Sequence, residues 1–127
     1  LYQMATLYFP LSNKFLEKKI KQSREKFGFM LIPGKDVKVF FNHKFAKPTM
    51  LFFLSDQSPP SSKNAYWTRF LNQDTGVLYG AENYAKKYNY PVFFARIKRI
   101  KRGFNEFTFE YIEENPASTS YGEITKK

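Results

Sequence analysis

One five-residue run, Met50-Leu51-Phe52-Phe53-Leu54, limits the folds open to this chain more than any other feature. Strand side chains alternate between two faces, so a strand apolar at every position must bury both. Such a strand suits the centre of a parallel sheet covered by helices. The neighbouring segments supply those helices. Leu16, Ile20, Ser23 and Phe27 fall on one helical stripe, with Lys14, Lys18, Lys21 and Glu25 opposite. Ser12 or Asn13 is the expected N-cap, and Gly28 ends the helix. Residues 29–32 read as a short buried strand closed by Pro33-Gly34. Asp36 opens a second helix with Val37, Phe40, Phe41 and Phe45 on one face, and Pro48 stops it. Residues 55–62 are a loop by composition, placed after the central strand, where α/β folds build their sites.

Further along, residues 66–71 read as a short strand or an irregular segment. A third helix is expected from about Gly80 to Tyr88, with Ala81, Tyr84, Ala85 and Tyr88 inward. A strand over 91–100 follows. Residues 104–112 alternate, with Phe107, Phe109 and Tyr111 facing in and Glu106, Thr108 and Glu110 facing out. Arg102-Gly103 is the turn between them, and it sets either Arg99 or Lys98 opposite Glu106, depending on loop length. The whole reads as an α/β fold, a mixed β-sheet flanked by helices. Its 127 residues make one domain, 1–127, with a polar tail over 113–127.

Composition removes several function classes. There is no Cys, which excludes a disulfide scaffold, a thiolate zinc site and a thiol nucleophile. One His excludes multi-His metal sites, and no metal or cofactor is expected. Gly28…Gly34-Lys35-Asp36 fails as a phosphate loop, because its spacing is wrong and Asp stands where Ser or Thr should bind magnesium. Aromatic residues at 20% exclude a disordered chain. No apolar run approaches the roughly 20 residues of a membrane-spanning helix. The opening at Leu1 and the ending at Lys126-Lys127 suggest a piece of a longer protein.

The net charge of +10 points to an anionic partner. Arg96, Lys98, Arg99, Lys101 and Arg102 concentrate it on one hairpin, as an anionic-surface contact or as a solvated edge paired with Glu106 and Glu110. His43 is followed by Lys44 and Lys47 and by no carboxylate, so it reads as a surface histidine rather than a base. Basic residues among aromatic ones also admit a small nucleic-acid-binding module. That module needs rings exposed on a sheet face, whereas most Phe here occupy inward positions.

Four segments together carry a resemblance: Tyr8-Phe9-Pro10-Leu11-Ser12-Asn13-Lys14, Arg24-Glu25-Lys26-Phe27-Gly28, Phe53-Leu54-Ser55-Asp56-Gln57-Ser58-Pro59 and Trp67-Thr68-Arg69-Phe70-Leu71-Asn72-Gln73-Asp74-Thr75. Residues 80–85 and Tyr90-Pro91-Val92 follow in the same order. The chain resembles the bacterial lipid A biosynthesis (lauroyl/myristoyl) acyltransferase family, of the lysophospholipid acyltransferase-like group and in its Bacteroidetes form. The resemblance implies the C-terminal part of a glycerolipid-acyltransferase-like domain, peripheral on the cytoplasmic face of the inner membrane. It implies transfer of a fatty acyl group from acyl carrier protein to a hydroxyl of a lipid A precursor or other glycolipid. The family's catalytic His-x-x-x-x-Asp/Glu pair is absent, and by the resemblance belongs before Leu1, so no catalytic residue is expected within 1–127. Arg24, Asp56, Gln57, Phe70, Asn72 and Thr75 match positions that the resemblance places near substrate. The basic hairpin then has two candidate partners, the anionic membrane surface and the acidic carrier protein. A fragment of this kind is expected to be inactive alone and to expose apolar surface that favours self-association.

Overall fold

The computed structural model describes residues 2–127, which form two compact units divided between Leu54 and Ser55. The fold is α/β, with helices alternating with strands in the first unit and antiparallel hairpins dominating the second.

The first unit holds β1 (Gln3–Tyr8), α1 (Lys14–Glu25), β2 (Phe29–Pro33), α2 (Val37–Asn42) and β3 (Thr49–Phe52). The strands form a parallel sheet in the order β2-β1-β3. The expected central strand is therefore an edge strand, and β1 takes the centre. Within β1, Ala5 is fully buried, and Thr6 is buried too, with its hydroxyl donating to the carbonyls of Phe52 and Leu7 at 3.4 Å each. By contrast, β3 is only half-buried along its length. Ile32 and Phe40 complete the core with Ala5, and Leu7, Met30, Phe41, Phe45 and Leu51 pack around it.

Asn13 caps α1 as expected, its Oδ1 accepting from the amides of Phe15 and Leu16 at 3.0 and 3.2 Å. The apolar stripe of α1 is exposed rather than packed, with Leu16, Ile20 and Phe27 all open. The second helix stops at Asn42, five residues before Lys47, and Asp36 makes no side-chain cap bond. The backbone turns extended at His43, which ends the helix although Phe45 stands at helical spacing from Phe41. Phe45 instead reaches the core from the following loop, with its ring centroid 4.8 Å from that of Phe40.

The second unit holds β4 (Ala65–Phe70), β5 (Gln73–Leu78), α3 (Gly80–Tyr88), β6 (Val92–Lys101), β7 (Phe104–Glu113) and α4 (Glu123–Lys126). Here β4 pairs only with β5 and β6 only with β7. Parallel and antiparallel pairings thus occupy three separate sheets instead of one mixed sheet. In the β6–β7 ribbon Lys101 faces Phe104 across the Arg102-Gly103 turn, and a bulge at Ile100 then shifts the register to place Lys98 opposite Glu106. The alternation of β7 is as expected: Phe107, Phe109 and Tyr111 share a face with Ile97, Ala95 and Phe93. That face is not a core, because its five large side chains are all exposed. The polar 113–127 segment folds back as a short turn, Pro116–Ser118, and then α4, burying Pro116 and Ile124.

Candidate functional site

Parallel strands discharge their loops at one edge, and in this sheet that edge carries residues 9–13 after β1, the Gly34–Asp36 turn after β2 and residues 53 onward after β3. Two of these loops touch. The Phe9 ring lies over Gly34 so closely that a Cβ there would come within 3.2 Å of its Cε1. Phe9, Leu11 and Leu54 leave an apolar rim open at this edge. The loop after β3 delivers Asp56 and Gln57, both exposed and neither bonded to another described side chain or backbone group. A carboxylate and an amide held by no structural partner are available to a polar ligand.

Phe70 and Asn72 meet at the β4–β5 turn. A two-residue loop, Leu71-Asn72, joins Phe70 to Gln73, with φ of 49° and 63° at the two turn positions. Both residues are left-handed, as a type I′ hairpin requires. Asn tolerates this conformation, but Leu71 does so at a cost of about 1–2 kcal/mol. The strain lies between two of the residues expected near substrate. Thr75 sits on β5 opposite Thr68, and its hydroxyl donates to the Gln73 carbonyl at 3.2 Å. Arg24 belongs to the first unit, exposed in the last turn of α1, where a cation complements the helix dipole. The structure therefore joins Phe70, Asn72 and Thr75 on one hairpin.

His43 is exposed just past α2, its ring edge-on to Phe45 with centroids 4.6 Å apart. It has no carboxylate bonded to it, and so lacks the orienting group of a catalytic histidine. On the ribbon, Arg96 is held by Glu110 through two bonds of 2.8 and 3.2 Å. This pair lowers the Glu110 carboxyl below its ordinary range and raises Arg96. Lys98, Arg99, Lys101 and Arg102 have no ion pair among the described residues.

Sequence reasoning missed Glu82. It is only 1% exposed, yet ionisable. Its Oε1 accepts from the Gly122 amide at 2.7 Å and from the Tyr79 hydroxyl at 3.4 Å. Its Oε2 accepts from the Thr125 amide and hydroxyl at 2.8 and 2.5 Å. Gly122 and Thr125 are the N-cap and third residue of α4, so Glu82 caps that helix from a distance. Tyr66, Tyr79 and Tyr121 pack their rings beside it. The Tyr79 phenol is pushed up from 10.0 to about 12, first by burial and then by the Glu82 charge. With donors on both oxygens, this carboxylate is a structural clasp rather than a free acid or base. Its signal was the spacing from Ala85, one helical turn away on the same inward face.

A family model described as bacterial lipid A biosynthesis acyltransferase matches residues 1–122. No curated protein matches the chain.

Proposed function

The chain belongs to the bacterial lipid A biosynthesis acyltransferase family, and we propose that it forms the substrate-facing part of an enzyme that moves a fatty acyl group from an acyl carrier protein thioester to a hydroxyl of a lipid A precursor or related glycolipid. The observation that carries this reading is the family match across residues 1–122. The geometry supports it at the loop after β3, where Asp56 and Gln57 are bonded to no other described group and so can bond a polar acceptor. It supports it separately at the first unit's sheet edge, where Phe9, Leu11 and Leu54 are apolar and open. Within the second unit Phe70, Asn72 and Thr75 put aromatic and polar groups on one hairpin, and within the first Arg24 offers a cation. A charge of +10 speeds encounter with an acidic carrier. No helix of the described residues is long and apolar enough to cross a membrane, and we place the protein peripherally on the cytoplasmic face of the inner membrane.

Acylating a hydroxyl near neutral pH needs a base of matching pKa. His43 is the one imidazole, and its setting does not equip it. We assign the base to a His-x-x-x-x-Asp/Glu pair outside residues 1–127 and expect the chain by itself to be silent. The test assays residues 1–127, and a longer chain carrying such a pair, with an acyl carrier protein thioester and a lipid acceptor. Turnover by residues 1–127 that vanishes in His43→Ala overturns the assignment of the base. No transfer by the longer chain overturns the function.

One observation favours a second reading. The ribbon exposes Phe93, Phe107, Phe109 and Tyr111 on one face beside its cations, the arrangement a single-stranded nucleic acid would stack upon. Titration of a labelled single-stranded oligonucleotide separates the two, and tight binding would favour this nucleic-acid module.

A further inference from the structure

We propose that the turn of the β6–β7 ribbon is the element with which this protein grips an anionic lipid bilayer. The inference deepens the reading above and rests on its lipid acceptor. The carrying observation is how the turn is built. A two-residue loop at Arg102-Gly103, with φ of +80° at the glycine, needs no irregularity to close the hairpin, yet a bulge leaves Ile100 without a cross-strand partner. Its side chain is 58% exposed, as is that of Phe104 at the other side of the turn. Four cations, Lys98, Arg99, Lys101 and Arg102, flank these two apolar residues along the turn's sequence, and none is ion-paired among the described residues. The fifth, Arg96, lies further down the ribbon and is already held by Glu110.

This pairing of apolar and cationic groups selects the occupant. A bilayer surface offers anionic headgroups directly above hydrocarbon, so one tip can satisfy both kinds of side chain at different depths. Lys101 shows how, with its Nζ 4.3 Å from the centroid of the Phe104 ring. The ring can enter the acyl boundary while the ammonium stays among the phosphates. A nucleic acid fits this tip less well. Ile100 has no ring to stack upon, and Lys101 covers one face of Phe104. An acidic protein would use the cations but gives no reason to expose Ile100 and Phe104 between them.

The test is co-sedimentation of residues 1–127 with vesicles of phosphatidylcholine alone or mixed with phosphatidylglycerol. Binding is expected to the mixed vesicles, weakening as salt shortens the screening length. Lys101→Glu with Arg102→Glu should weaken it by roughly thirtyfold or more. Ile100→Ser with Phe104→Ser, which leaves the charge unchanged, should weaken it by at least about tenfold. Lys18→Glu with Lys19→Glu, the same charge change on α1, should have far less effect. Circular dichroism of each variant confirms that the fold survives. The proposal is overturned if both tip variants bind like the parent chain, or if the serine pair alone has no effect, leaving simple electrostatic adsorption. It is also overturned if an oligonucleotide or an acidic carrier protein depends on the tip while vesicles do not. Vesicle binding is read without turnover. No transfer by the longer chain, with tip-dependent binding intact, would sink the enzymatic reading alone, and transfer by the longer chain without tip-dependent binding would sink this one.

Discussion

The clasp around Glu82 and the ribbon β6–β7 set aromatic rings beside charge in opposite ways. In the clasp, three tyrosines pack around one carboxylate that is buried and bonded by two amides and two hydroxyls. In the ribbon, rings and cations both stay in solvent, and of its five cations only Arg96 is ion-paired. The difference shows what a charge must have before it can be buried. Removing an ion from water is costly unless hydrogen bonds replace the lost solvent, and a helix N-terminus offers those bonds already oriented. The ribbon has no such donors or acceptors and leaves its charges available to a partner.

The comparison breaks first at Glu82. Glu82→Ala strips the acceptor from two backbone amides and should destabilise the protein by about 3 kcal/mol, read as a shift in the urea midpoint. A loss no larger than that of an ordinary surface change would mean the clasp carries little. Next is Gly122, whose φ is +77° and where a Cβ would collide with the Tyr66 ring. Gly122→Ala should cost about 2 kcal/mol through strain and displacement of that ring. A smaller effect comes from alkali. The folded pKa of Tyr79 lies above its unfolded value, so the stabilisation is complete below pH 10.0 and is lost as pH rises through about 12. Denaturation midpoints should therefore fall above pH 10.0, less steeply in Tyr79→Phe. Smallest is Arg96→Ala on the ribbon. Its pair with Glu110 is exposed, and no measurable shift in midpoint is expected. A large shift there would show that the ribbon is not the solvated element described.

The sequence made local chemistry legible and left packing partners obscure. The two-residue turn alone sets Arg99 opposite Glu106, and the bulge at Ile100 puts Lys98 there instead. Asn13, as one of two cap candidates, and the Gly80–Tyr88 helix followed from spacing, which acts over a few residues. The position of β3 did not, because an apolar run reports that a strand wants burial and not which neighbour takes the centre. Ala5 and Thr6 are the buried residues of the central strand, and a hydrophobic pattern ranks both below Met50 to Leu54. The pattern of β7 likewise put Phe107, Phe109 and Tyr111 on one face, but the inward facing expected of them fails, because period cannot say whether anything covers that face. At the site, the resemblance supplied Asp56, Gln57, Phe70, Asn72 and Thr75, and the structure adds that three of them share one hairpin. Glu82 was hidden because its partners, Gly122 and Thr125, lie about 40 residues further on.

The parallel sheet has a consequence for the order of assembly. The β4–β5 and β6–β7 hairpins close through two-residue turns, and such hairpins form within about 1–10 μs. The sheet instead joins Gln3 to Gly28 across 25 residues and Thr6 to Phe52 across 46. Entropy must be lost over those spans before either contact rewards it, so sheet closure comes late. During that interval Met50 to Leu54 are without their partner β1, as an extended apolar segment of high strand propensity. Chains meeting at high concentration should then join through this segment, and the yield of refolding should fall with protein concentration before the final stability changes at all.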